Sequence, residues 1–449
     1  MANKSVSVRE VLDSGRFSGY QIWIWFLCFC LTFFDGFDLS LVGVALPKIA
    51  EFLHSKPTAL GVVMSAGNVG ALIGALVLGL LADRFGRKKM LLVSAFMFGI
   101  FTLSISFIHS VEQLVAFRFL AGLGLGGAVP NALAFGSEYA PSHKRATLAT
   151  TMYAGIAIGA VFAGLVASYL LPHYGWQSLF LVGGTVACLI GLFALFFMPE
   201  TLAYLVQKGR DKDKTQIYKI VSKIAPTFAA DRETAFVSSE KKLSGVPVVH
   251  LFKEGRAWNT LLLWMAFILS YYLLWLILSW TPMLLKKSGA SPQEFSLAFA
   301  CINFGSAMAT ISIGMLMDKF NPLNILKTGF FLAFVSIIVF GYYAASPFAI
   351  VALVSVIMGF FVIGSNSGLM ALATLTYPTD IRGTGLGWAT GIGRSGSLIA
   401  PIVGGIMLTH NWSVNKICTT NAMVALIVVG IIFIMHMVGL HTQKSEGSS

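Results

Sequence analysis

Charge is what this chain has least of. Only 11% of its 449 residues are Asp, Glu, Lys or Arg, whereas a soluble domain carries about 25%. A water-soluble fold built from such a sequence would expose large adhesive patches, so that class is excluded. Cysteine is also scarce. None of the five sits in a CxxC or Cys/His ligand spacing, and Cys28, Cys30 and Cys301 lie in apolar runs as small packing residues. No disulfide framework, zinc site or other metal cluster is expected. A GxxxxGK[ST] loop is missing too, and no nucleophile–base arrangement stands out. The residues therefore point away from an enzyme and from any cofactor. The net charge of +12 does not signal nucleic acid, because no Lys/Arg stripe interleaves with exposed aromatics. Residues 1–19 are polar and precede a run too long for a signal-peptide core, so no cleaved signal is expected.

What the chain has instead is hydrophobic length: 56% apolar residues and a mean hydropathy of +0.80. A helix crosses the bilayer in about 20 residues. Twelve such spans are legible, at 20–46, 58–81, 90–109, 113–137, 146–171, 177–198, 258–285, 293–317, 323–343, 347–376, 381–407 and 417–440. This predicts an all-α integral membrane protein with an N-terminal segment (1–19), a six-span bundle (20–198), a polar central loop (199–257), a second bundle (258–440) and a tail (441–449). With both termini placed inside, 24 of the 31 Lys and Arg fall in inside segments and five in outside loops. That asymmetry follows the positive-inside rule. The loop 199–257 carries charges of both signs and is expected to hold short amphipathic helices in a solvated linker.

The halves echo each other. "GLLADRFGR" (79–87) follows the second span, and "GMLMDKFNP" (314–322) follows the eighth, 235 positions on. "YAPSHKRATL" (139–148) and "YPTDIRGTGL" (377–386) follow the fourth and tenth, with Arg145 and Arg382 237 apart. A six-span unit used twice in parallel can rock about a central site and expose it to each side in turn.

Asp35, Asp38, Arg118 and Arg394 lie deep inside spans. Asp35 and Asp38, in "LTFFDGFDLSLVG", are three apart and share a helix face. Each costs about 2.5–3.5 kcal/mol at a helix centre. Low dielectric and a like-charged neighbour favour a neutral carboxylate, so a proton-loading site is one reading; helix-end solvation or a fixed ion pair with Arg118 is the other. Arg118 lies at a depth similar to that of Asp38, which makes the pair feasible, and protonating the acid would free the arginine. Arg394 ("TGIGRSGS") sits near the midplane among Gly391, Gly393 and Gly396. A bidentate carboxylate, an ion pair with another span, and a gating contact all remain open for it.

Around these lie weaker signals. In "GLLADRFGRKK", Gly79 permits close packing, Asp83 can face a neighbouring helix N-terminus, and Arg84 and Arg87 can bridge to acids, with Glu138 a candidate. Such pairs would hold an inner gate shut and break on opening. Arg145, Asp318 and Arg382, at the landmarks of the repeat, complete the candidate gating groups. "SYYLLWLILSWTP" (270–282) offers Tyr272 and Trp275 to stack on a planar ligand, although belt or packing roles are commoner for such residues. Asn303 and Asn366 could hydrogen-bond a ligand or another helix. The small-residue runs at 118–132 and 155–164 read as helix packing, and His436 as a packing residue.

The loop "GLLADRFGRKK", the run "RFLAGLGLG" and the two six-span halves resemble the major facilitator superfamily over nearly the whole chain. Within it, "DGFD" resembles the Asp-Gly-x-Asp signature of the aromatic acid:proton symporters, and "SEYAPSHKRAT" and "YPTDIRGTGLGWATGIGRSGS" are similar to that family's corresponding segments. The resemblance implies a bacterial inner-membrane permease, monomeric and without a cofactor, for acids of the 4-hydroxybenzoate, benzoate and gentisate class. It places Asp35 and Asp38 at the functional acids, and Asp83, Arg87, Arg118, Glu138, Arg382 and Arg394 at charged family positions. The second half departs from the gate motif: "MDKFNP" keeps Gly314 and Asp318 but loses the later Gly-Arg. The aromatic cargo comes from the resemblance, whereas the residues alone imply a small anion and a proton.

The expected function is therefore import of an aromatic carboxylate with protons, by alternating access. An antiporter of drugs or metabolites with the same fold is the first competitor, and a non-transporting membrane sensor the second.

Overall fold

The computed structural model describes residues 5–13, 17–208, 211–225, 235–237, 248–253, 255–378 and 381–438. Among these, twelve helices are long and apolar enough to cross a membrane. They are α1 (Gly19–Phe52), α2 (Pro57–Phe85), α3 (Arg87–Ile105), α4 (Val111–Tyr139), α5 (Arg145–Tyr174), α6 (Trp176–Phe197), α7 (Ala257–Lys287), α8 (Pro292–Lys319), α9 (Pro322–Tyr343), α10 (Phe348–Thr376), α11 (Arg382–Thr409) and α12 (Val414–Val438). Span number and order agree with the hydrophobic pattern, but the ends do not. α1 continues to Phe52, beyond residue 46, because a helix stops where its backbone is capped rather than where hydropathy falls. Its start is set by a capping box between Ser18 and Gln21, and that of α8 by one between Ser291 and Glu294.

Glycine sets how the helices cross, and it does so twice. A Cβ on Gly70 of α2 would lie 2.2 Å from the Phe119 carbonyl oxygen of α4, and one on Gly122 would lie 2.2 Å from that of Gly67. The same contact recurs between α8 and α10, where Gly305 meets the Val356 carbonyl and Gly359 that of Ile302. Each pair is displaced by the 235 and 237 positions that separate the sequence landmarks. Likewise Gly159 of α5 meets Phe33 of α1, and Gly396 of α11 meets Ile268 of α7. No side chain larger than hydrogen allows these approaches, so the duplicated backbone packing is written into the sequence.

The halves, α1–α6 and α7–α12, touch along α1–α7, α2–α11 and α5–α8. At the ends away from the α2–α3 and α4–α5 connections, these contacts are closed. Lys286 of α7 pairs with Glu51 of α1 and donates to the Pro47 carbonyl at 2.9 Å. Thr58 of α2 bonds Thr409 of α11 at 2.6 Å, Gly61 packs on Pro401, and Gly164 of α5 packs on Ala300 of α8. Towards the opposite face, which carries the basic α2–α3 and α4–α5 connections, the same helix faces part. Gly79 of α2, Gly314 of α8, and Gly387 and Gly391 of α11 have no atom within 4 Å of where a Cβ would stand. The result is a cleft, sealed at one face and open at the basic one.

Of the central loop, the described residues include helices Leu202–Lys208 and Asp211–Ile224. The second is amphipathic: Ile217, Ile220, Val221 and Ile224 are buried in the core that includes Ile24 and Leu27 of α1. A short parallel pair, Ser5–Ser7 with Ala235–Val237, is the one strand pairing among the described residues. The tail 441–449 lies outside them.

Candidate functional site

Asp35 and Asp38 share a face of α1 but not a fate. Asp38 is 2% exposed and fully engaged: Arg118 Nη1 of α4 donates to Oδ2 at 3.1 Å, and Thr102 Oγ1 of α3 donates to Oδ1 at 2.6 Å. Arg118 is itself 4% exposed, and Gly67 of α2 leaves room for its guanidinium. This is a buried ion pair, and removing one partner from such a pair costs about 3–5 kcal/mol. Asp35, though buried, receives no hydrogen bond among the described residues. The charges acting on it are Asp38 and Arg394 of α11.

Arg394 is only half-buried. No acid lies within ion-pair distance of it among the described residues. Its position follows from the α7–α11 crossing. A Cβ on neighbouring Gly393 would stand 3.1 Å from Phe267 Cβ and 3.3 Å from Tyr271 Cδ2, and Gly396 sits on the Ile268 carbonyl. Arg394 is thereby held beside Tyr271. The same electrostatic neighbourhood includes Tyr153 of α5, which senses both Asp35 and Arg394 and lies close enough to influence Tyr271. Tyr153 is 48% exposed and shares a face of α5 with Gly164, which packs on Ala300 of α8. The cleft thus holds an unpaired acid, an unpaired guanidinium and two phenols, contributed by α1, α5, α7 and α11.

Other expected ligand groups lie elsewhere. The Tyr272 hydroxyl donates to Asn421 Oδ1 of α12 at 2.7 Å, and Tyr272 and Trp275 pack on the apolar core between the halves. Asn303 gives its amide to the Phe299 carbonyl of its own helix at 2.9 Å, and Asn366 gives its amide to Ser270 Oγ of α7 at 3.0 Å. Tyr271 and Tyr272 are consecutive, about 100° apart around the helix, and sequence could not say which one faces Arg394. Tyr153 carried no signal beyond being a lone phenol before a small-residue run.

At the basic face, Arg87 at the start of α3 pairs with Glu138 at the end of α4. Both belong to one half, and the pair is made while this face is open. The expected Arg87–Glu138 pair is formed, and it lies within the first half rather than across the cleft. The N-terminus of α3 is capped by Glu200, which sequence reasoning missed. Its Oε1 accepts from the Lys88 backbone N–H at 3.0 Å, and Tyr139 donates to its carbonyl at 2.6 Å. Gly86, at φ +104°, brings the chain against this carboxylate. Asp83 lies in α2, and its side chain is outside the described residues. Arg84 is exposed, with its guanidinium 5.5 Å from the Phe85 ring centroid. Gly79 faces open space, Arg145 begins α5, Asp318 is exposed near the end of α8, and Arg382 Nε donates to the Tyr377 carbonyl at 3.5 Å.

Twelve crossing helices in two repeated halves, with ionisable groups in the cleft between them, define a multi-pass membrane transporter. The chain belongs to the Major Facilitator Superfamily, whose family model matches residues 28–401 and 263–448. It is 35% identical over 448 residues to the 4-hydroxybenzoate transporter PcaK of Acinetobacter baylyi, covering 98% of this chain and 96% of that one. It is 32% identical to a gallate transporter of Pseudomonas putida, covering 90% and 89%. A solved bacterial homolog of the human lysosomal transporter Spinster, in an inward-facing and unoccupied conformation, superposes with a TM-score of 0.74 at 15% identity, covering 95% of this chain and 99% of that one. The family and its relatives place the chain among multi-pass transporters of the bacterial inner membrane.

Proposed function

We propose that the protein imports an aromatic carboxylate together with one or more protons, by alternating access, with the basic face towards the cytoplasm. The observation that carries this reading is the cleft site itself, where Asp35 and Arg394 both lack a hydrogen-bond or ion-pair partner among the described residues. A free acid can take up a proton, and a free guanidinium can hold a carboxylate through two parallel hydrogen bonds. Neither charge is stable alone at membrane depth, so proton and anion neutralise the site together. Tyr153 and Tyr271 supply phenol donors and ring faces beside the bound acid. The relatives named for 4-hydroxybenzoate and gallate transport support an aromatic cargo.

In this reading the described conformation faces the cytoplasm. Asp38 with Arg118 fixes α1 against α4, and Asp35 exchanges the proton. The Arg87–Glu138 pair braces the first half, and the remaining basic-face groups close against the other half during the cycle.

Uptake of labelled 4-hydroxybenzoate into right-side-out vesicles tests this. Accumulation is expected to rise with an inward proton gradient and to collapse when a protonophore removes it. Accumulation indifferent to the gradient, or driven only by an outward one, would replace symport with uniport or antiport.

A further inference from the structure

Pro401 lies inside α11. A proline there has no N–H to give to the carbonyl four residues back, so the Ser397 carbonyl loses its helical donor. A donor arrives from the other half: Asn68 Nδ2 of α2 reaches Ser397 O at 2.9 Å. Beside it, Ser65 Oγ donates to the Leu398 carbonyl at 2.7 Å. Ser397 is 4% exposed, and its own hydroxyl donates to the Arg394 carbonyl at 2.6 Å. The freed carbonyl therefore belongs to the turn that carries the cleft arginine.

The repeat-related interface lacks this device. The positions equivalent to Pro401, Ser397 and Asn68 are Gly164, Ala160 and Asn303. Gly164 leaves the Ala160 carbonyl its helical donor, and Asn303 bonds the Phe299 carbonyl within α8. The α5–α8 contact is a small-residue surface, with Gly164 on Ala300, whereas α2–α11 is a ladder of hydrogen bonds running from Thr58–Thr409 down to Asn68–Ser397. Below that rung α2 and α11 separate.

The geometry points to Asn68 as a positioning residue that couples closure of the sealed face to the Arg394 turn. While α2 and α11 meet, Asn68 satisfies the carbonyl that Pro401 leaves bare. When they part, water must do so, and the Arg394 turn loses its tether to the first half. This deepens the reading that the two faces open in alternation, but it does not depend on which cargo Arg394 binds.

The test reads conformation without substrate. Ile402→Cys, at the α2–α11 contact, is labelled by a membrane-impermeant maleimide from the sealed side in right-side-out vesicles, above the background of the otherwise unaltered chain. Asn68→Ala is expected to raise the labelling rate about tenfold, the effect of stranding one buried acceptor. Pro401→Ala restores an N–H to the Ser397 carbonyl, so Asn68→Ala with Pro401→Ala should label like Pro401→Ala alone. Unchanged labelling in Asn68→Ala, or effects that simply multiply in the double variant, would overturn the proposal. If Asn68→Ala fails to reach the membrane, Asn68→Leu removes the donor while nearly keeping the shape and enters the same comparison. Loss of uptake in Arg394→Ala bears on the cargo reading alone.

Discussion

The two halves share a backbone plan and differ in where they keep charge. The glycine contacts between α2 and α4 are repeated between α8 and α10 at the same offsets. At those offsets Asp38 corresponds to Leu273 and Arg118 to Ser355, so the ion pair of the first half is matched by an apolar residue and a small hydroxyl. Asp35 corresponds to Ser270, which receives the Asn366 amide, and Arg394 corresponds to Ala157. Packing was thus kept in both halves while ionisation was divided: acids on α1, the free arginine on α11. A site made this way is asymmetric across a symmetric hinge, so rocking the halves changes the environment of acid and guanidinium together.

That comparison can be broken most forcefully at the buried pair. Arg118→Ala strands the Asp38 charge and should cost about 3–5 kcal/mol of stability, abolishing accumulation. The double change Asp38→Leu with Arg118→Ser installs the residues of the second half. It should recover most of the thermal stability of the purified protein while uptake stays lost. If the double variant is as unstable as the single one, the halves are not interchangeable in packing as argued. Next in size is Arg394→Ala. It leaves a void in an open cleft, so the melting temperature should hold within a few degrees while transport of 4-hydroxybenzoate falls below about a tenth of its starting rate. Arg394→Lys, a point charge without the planar fork, should recover it only in part.

Smaller effects sharpen the distinction between neighbouring tyrosines. Tyr153→Phe and Tyr271→Phe should each raise the apparent KM by about three- to tenfold, the value of one hydrogen bond, with little change in melting temperature. Tyr272→Phe should do the reverse, losing about 0.5–1.5 kcal/mol of stability with its bond to Asn421 and leaving KM unchanged. A KM effect confined to Tyr272 would move the site to the other face of α7.

Much of this molecule is legible in its sequence. Twelve spans, their division six and six, and the intramembrane Asp35, Asp38, Arg118 and Arg394 follow from hydropathy and the cost of charge in lipid. The pairing of Asp38 with Arg118 was readable as a possibility from depth alone. Thr102 as the second donor, Tyr153 in the cleft and the Glu200 cap were not, because each depends on a helix neighbour distant in sequence. Tyr272, Asn303 and Asn366 were attractive as neutral polar groups in spans, yet the structure gives each a hydrogen bond within the helix packing.

By itself, then, the sequence determined how many times the chain crosses the bilayer, that its two halves repeat, and which ionisable groups must be sheltered. Those outcomes depend on transfer energies that act residue by residue and on a periodicity local to each helix. Only the tertiary structure decided that Asp38 is satisfied while Asp35 is bare, that Tyr271 rather than Tyr272 stands by Arg394, and that Asn68 answers Pro401 across the halves. These depend on helix rotation and crossing, which glycine contacts between remote segments set, and on which face of the cleft is closed.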